Sequence, residues 1–143
     1  MTTKGDPFNL ERFVMEQDRL PFQEAMSQLR RGAKTGHWIW FIFPQIRGLG
    51  RSQSSLFFGI GSLEEAEAYV QHPILGPRLI EATEELLKHV HVGVAGVVGD
   101  LDAMKVRSSL TLFQATSQGE AFSLALQNLF NGVECEQTRT FLS

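Results

Sequence analysis

Residues 62–91, SLEEAEAYVQHPILGPRLIEATEELLKHVH, decide the fold class. Ser62 followed three residues later by Glu65 is a capping-box pattern, and Glu64 adds a second acid to the positive end of the helix dipole. Leu63, Ala66, Tyr69 and Val70 then recur at helical spacing and form one apolar face. The pair His72-Pro73 breaks that helix, because the residue before a proline is pushed out of the helical region. A longer helix is predicted from Pro77 to about His91, with Leu79, Ile80, Thr83, Leu86, Leu87 and Val90 as its inward stripe. Glu81, Glu84 and Glu85 fall on its solvated side.

The same logic extends in both directions. Asp6 before Pro7 reads as an N-cap with proline at the first helical position, followed by Leu10, Phe13, Val14 and Gln17. Pro21 opens a second helix whose apolar residues Phe22, Ala25, Met26 and Leu29 sit at i, i+3, i+4 and i+7. Arg30 and Arg31 suit its negative end, and Gly32 stops it. Toward the C-terminus, Asp100 caps a helix running to about Thr116. Gly119 to Phe130 forms another, with Phe122, Leu126, Leu129 and Phe130 inward and Gly132 as its stop, and a short last helix includes Arg139 to Leu142. Val92 to Gly99 is small, branched and glycine-rich, and reads equally as a loop or a short strand. The prediction is an all-α protein: a single domain over residues 1–143 with about six to eight short helices, and no internal repeat or linker.

Composition narrows the function classes. With 143 residues, 43% of them hydrophobic and 20% charged, the chain is no disordered tail. A domain of this length buries roughly 70% of the surface of its unfolded chain. Cys135 is the single cysteine, which excludes an intramolecular disulfide and a cysteine-based zinc site. His72 reads as a turn residue, and His89 and His91 point different ways on a helix, so no metal or cofactor is predicted. The longest apolar run, Trp38 to Phe43, is far short of the ~20 residues of a membrane span. The first six residues lack an apolar signal core, so a cytoplasmic protein without a membrane partner is expected.

Net charge is −3, but its distribution is uneven. Ala25 to Leu63 contains no acid and five bases: Arg30, Arg31, Lys34, Arg47 and Arg51. The remaining chain has 8 bases against 16 acids. A positive face on an acidic body follows. So small a positive area argues against a nucleic-acid partner.

Two segments depart from plain helix patterning. The first is residues 36–52, GHWIWFIFPQIRGLGRS. Its apolar run must be buried, as strand or as helix. Beyond Pro44 come Gln45, Arg47, Gly48, Gly50 and Arg51. Glycines let the backbone approach a ligand, arginines grip carboxylate or phosphate with two prongs, and the indoles of Trp38 and Trp40 offer planar faces. No Gly-Lys-Ser/Thr follows, so this is no Walker loop, and the third glycine of a dinucleotide fingerprint is missing. A structural reading, in which the arginines pair with acidic helices and the glycines make turns, stands beside the ligand reading.

The second segment is residues 100–116. Leu101, Lys105, Ser108 and Leu112 are spaced to lie on one face, flanked by Met104 and Ser109, so Lys105 should point toward the interior side. A desolvated lysine needs a partner, whether an internal carboxylate or a ligand, unless it snorkels to water.

The chain resembles the bacterial family catalogued as domain of unknown function 1810. The resemblance rests on DPFNLERFVMEQ at 6–17, GHWIWFIFPQIRGLGRS at 36–52, SLEEAEAYVQHPILGPRL at 62–79 and KVRSSLTLF at 105–113, and it covers nearly the whole chain. It implies a small all-helical protein and carries no established activity.

Both unusual segments coincide with stretches that carry the resemblance, the second over 105–113, which points to one shared site. The expected ligand is a planar, anionic small molecule of nucleotide type. Trp38 or Trp40 would stack on the ring, and Arg47 and Arg51 would hold the anion with the Gly48 and Gly50 amides. Gln45 would read a ring edge, Lys105, Ser108 and Ser109 would approach from the other side, and His37 is the candidate general base of any chemistry. The alternative is a non-catalytic helical module that docks an acidic partner or dimerises.

Overall fold

In the computed structural model, which describes residues 5–143, helices are the only regular elements and no strand forms among the described residues. Among the described residues they are α1 (Glu11–Arg19), α2 (Phe22–Arg31), α3 (Ile39–Ile42), α4 (Gln53–Phe57), α5 (Leu63–Gln71), α6 (Leu75–Leu87), α7 (Val94–Val98), α8 (Asp100–Phe113), α9 (Gly119–Phe130) and α10 (Glu136–Leu142). That is more than the predicted six to eight. The additions are the short helices α3, α4 and α7, where the sequence has no helical periodicity to read. No helix among the described residues is long and apolar enough to cross a membrane.

The predicted caps mostly form. Ser62 Oγ accepts from Glu65 N at 3.0 Å, and Gly32 ends α2 with a left-handed φ of 73°. Asp6 does cap, but one turn late. Its carboxylate accepts from Leu10 N at 2.7 Å and Glu11 N at 2.9 Å, and the helix starts at Glu11 rather than Pro7. Asn9, at φ 54°, inserts the extra turn. The Val92–Gly99 segment is neither strand nor loop over most of its length. Val94, Val97 and Val98 are buried at i, i+3 and i+4, between Gly93 and Gly99 at φ 92° and 90°. Leu63 and Val90, predicted inward, are exposed, because α5 turns on Ala66, Tyr69 and Val70 and α6 ends before Val90.

α8 is the hub: it packs against α3, α5, α7, α9 and α10. An aromatic chain threads the core, from Phe58 to Phe13 at 5.6 Å, Tyr69 at 5.1 Å, Phe113 at 5.3 Å and Phe122 at 5.8 Å between successive ring centroids. It ties α1, α5, α8 and α9 together, and such pairs add about 0.5–1.5 kcal/mol each beyond their buried area. Tyr69 is fully enclosed, and burial pushes its phenol well above the ordinary value, so it stays neutral. Trp38, Ile39, Phe41, Ile42 and Phe43 are buried, as the apolar run required.

Residues 45–61 form a hairpin-like excursion carrying α4. One isolated parallel bridge, Ile46 to Ile60, closes it, with Arg47 N donating to Ile60 O at 2.8 Å and Ile60 N to Gln45 O at 2.9 Å. The limbs approach so closely that a Cβ on Gly59 would lie 2.6 Å from Arg47 Cα. Arg12 holds this excursion onto the body. Its guanidinium, in α1, donates to the carbonyls of Phe8, Asn9, Phe57 and Gly59 and to Glu65 Oε2 at 2.7 Å, while Glu65 Oε1 accepts from Gly61 N at 2.9 Å. Both side chains are buried.

Candidate functional site

The start of α8 faces the segment that leads into α3. Gly99, at φ 90°, turns the chain sharply from α7 into α8, so the first turn of α8 opens beside residues 34–40. Between the two lies a cleft of about 500 Å³. His37, Ile39 and Trp40 line one wall, and Val98, Leu101 and Lys105 line the other.

Four charged residues line this cleft, Lys34, Asp100, Asp102 and Lys105, and three of them are in contact. Lys34 Nζ lies 2.7 Å from Asp102 Oδ2, and Lys105 Nζ lies 3.3 Å from Asp102 Oδ1. The Lys34 side chain is only 6% exposed, and its ammonium also donates to Gly36 O and sits 5.2 Å from the Trp38 ring centroid. Lys105 is more open, 4.5 Å from the Trp40 ring centroid. One carboxylate thus serves two ammonium groups. The shorter contact keeps Asp102 with the buried Lys34, whose desolvated charge needs it. Lys105 holds a longer, more exposed contact that is worth little by itself.

Several expected site residues meet here and others do not. His37, Trp40 and Lys105 line the cleft. Gln45, Gly50, Lys105 and Ser108 line a second, smaller pocket that adjoins it. Trp38 is 1% exposed and its indole N–H donates to Gln28 Oε1 at 2.7 Å, so its faces belong to the core. Arg47 and Arg51 line neither cavity. Arg47 lies along its own hairpin, donating to Gly59 O at 3.1 Å, and Gly48 at φ 106° supplies the turn after it. Ser108 bonds Thr138 at 3.0 Å and pins α10 to α8. Ser109 is fully enclosed, with its hydroxyl unpartnered among the described residues. The 101–112 stripe twists out of the core: Leu112 is buried, but Leu101 is 73% exposed.

Lys34 and Asp102 are the site residues that motif reasoning passed over. Asp102 carried a usable signal, since it stands three residues before Lys105 on one helix face. Lys34 gave none beyond its place in the acid-free stretch, because its partner comes from a distant part of the chain.

Among the described residues, ten helices, one of them the hub, define an all-helical protein with a charged cleft at the hub's N-terminal end. A family model described as "Protein of unknown function (DUF1810)" matches residues 7–142, and the chain belongs to that family. A crystal structure of a conserved hypothetical protein from Mycobacterium tuberculosis is 43% identical, with 96% of this chain and 98% of that chain covered, at a TM-score of 0.91. None of the curated proteins matches.

Proposed function

We propose that the cleft binds a small organic anion of nucleotide type, with Lys105 as its charge partner. The observation that carries this reading is the Lys34–Asp102–Lys105 arrangement. Lys34 alone can neutralise Asp102, so an arriving anion takes over Lys105 without leaving a carboxylate bare. The exchange trades one long, partly exposed ion pair for another in a more enclosed setting. The first-turn amides of α8 add a favourable dipole. Asp100 and Asp102 already occupy that end of the helix, so the lysine and not the helix terminus is the main source of attraction. Trp40 holds the Lys105 ammonium over its ring and keeps the side chain aimed at the cleft.

The test is calorimetric titration of the full chain with inorganic pyrophosphate and with ribonucleoside 5′-monophosphates. The parent protein should bind, and Lys105→Met should lose binding by at least about tenfold, the loss typical of a charge-assisted hydrogen bond. Equal binding by parent and variant would remove Lys105 from the site.

A second reading has its own observation. Leu101 is 73% and Met104 58% exposed, and they stand one turn apart on α8. An apolar ridge of this kind also suits a dimerisation or docking face. Sedimentation of the parent and of Leu101→Glu separates the two readings. A dimer that the variant abolishes supports docking, and a monomer in both supports the ligand cleft.

A further inference from the structure

The pocket that adjoins the cleft is smaller, about 240 Å³, and differs in character. Leu49, Leu101 and Met104 give it apolar walls, and Lys105 is the one charged residue on its lining. Lys105 and Leu101 also line the larger cleft, so the two spaces meet at that lysine. Two carboxamides border the small pocket. Gln45 is half-buried; its backbone carbonyl accepts from Ile60 N at 2.9 Å, and its side-chain amide makes no hydrogen bond among the described residues. Gln137 Oε1 accepts from Cys135 Sγ at 3.5 Å, which leaves its amide N–H groups without a partner among the described residues.

A primary carboxamide presents a donor and an acceptor side by side. Two of them on otherwise apolar walls suit a flat, uncharged heterocycle, whose edge alternates donors and acceptors and whose faces want apolar contact. An extended anion has no place in this pocket apart from its Lys105 edge. Trp40 does not serve as the ring platform, because Lys105 already sits over its indole.

We infer that the ligand is a nucleoside monophosphate bound across both spaces: its base lies in the small pocket between Gln45 and Gln137, and its phosphate lies on Lys105 at the mouth of the larger cleft. This rests on the anion-binding reading above and adds the identity and place of the neutral half. Cys135, the single cysteine, borders the small pocket and not the large cleft, and it also borders a separate cavity with Arg107 and Arg139, so protection of its thiol marks the base position only where Gln45→Leu removes that protection.

The experiment measures the rate of Cys135 alkylation by iodoacetamide, followed by mass spectrometry. The full chain is used with each of the four ribonucleoside 5′-monophosphates, ribose 5-phosphate or inorganic pyrophosphate. Affinities are measured in parallel for the parent and for Gln45→Leu. At least one nucleotide should slow alkylation by about tenfold or more when bound, while ribose 5-phosphate and pyrophosphate bind without protecting the thiol. Gln45→Leu should weaken that nucleotide by about tenfold and leave ribose 5-phosphate unchanged, because only the base loses a hydrogen-bond partner. If every nucleotide binds no better than ribose 5-phosphate and none protects Cys135, the inference is overturned while the anion cleft stands. If none of the six compounds binds, the anion cleft falls and the inference with it.

Discussion

The Arg12–Glu65 pair and the Lys34–Asp102–Lys105 group both draw charge out of water, and they are built to opposite designs. Arg12 has its donors committed to four carbonyls and one carboxylate, and Glu65 has both oxygens engaged. Nothing is left over for a ligand, and no cavity is lined by either residue among the principal ones of the described chain. The second group sets two cations on one anion at the edge of a cleft, and one of those cations is loosely held. A saturated buried pair fixes geometry, here the seat of the 45–61 excursion on α1 and α5. An unsaturated one keeps a charge available. The contrast shows that burial of an ion pair does not mark a functional site; leftover valence beside open space does.

The contrast can be broken by removing one partner from each group. Glu65→Ala strands the Arg12 charge in the interior and should cost about 3–5 kcal/mol, read as a lowered midpoint in urea unfolding. A loss below about 1 kcal/mol would mean that the four carbonyls alone satisfy Arg12, and the clasp would then be no clasp. Asp102→Ala should cost less, about 1–3 kcal/mol: Lys34 loses the carboxylate its buried charge leans on but keeps its bond to Gly36 O, and Lys105 turns to water. A cost as large as that of Glu65→Ala would place Asp102 in the structural class.

A smaller effect sharpens the same distinction through pH. Glu85 is buried, which pushes its pKa up, but hydrogen bonds and charge from Arg30 and Lys88 outweigh that and hold it below the ordinary value of 4.5. A depressed folded value means that the carboxylate adds stability above the ordinary glutamate range and loses it as the pH falls through the folded value. Glu85→Gln should therefore be slightly less stable than the parent at neutral pH, by under about 1 kcal/mol since both partners are largely exposed. Unfolding curves recorded down the pH scale should converge below the ordinary glutamate value of 4.5. A gap that stays constant with pH would show that Glu85 acts by packing and not by charge.

Much of the fold was legible because its long helices carry their own punctuation. α9 has the predicted bounds Gly119–Phe130, and Ser62 and Gly32 act as the predicted cap and stop. The short helices were not legible. α3 is apolar throughout, and α7 is a run of valine, alanine and glycine, so neither shows a polar face against which to count a period. The site was legible in its helix and not in its cross-chain partners. Lys105, Trp40 and His37 could be singled out from residue type and spacing. Arg47 and Arg51 could not be separated from a ligand-binding pair by the same means, since only the closed hairpin shows Arg47 turned onto Gly59 O. Pairing between distant segments, Lys34 with Asp102 or Arg12 with Glu65, leaves no local trace in the sequence.

The central claim is that Lys105 is held for a ligand and not for the fold. It is tested most directly by thermal unfolding of the parent and of Lys105→Met, each alone and with saturating nucleoside monophosphate. Methionine keeps the unbranched apolar stem, one atom shorter, and removes the charge. The two unliganded proteins should melt within about 1 kcal/mol of each other, as expected for a long, partly exposed ion pair whose carboxylate keeps Lys34. At equal nucleotide concentration the parent's Tm should rise clearly more than the variant's. A variant that melts several degrees lower on its own, with a parent indifferent to every nucleotide, would contradict the account and return Lys105 to the structural class of Arg12.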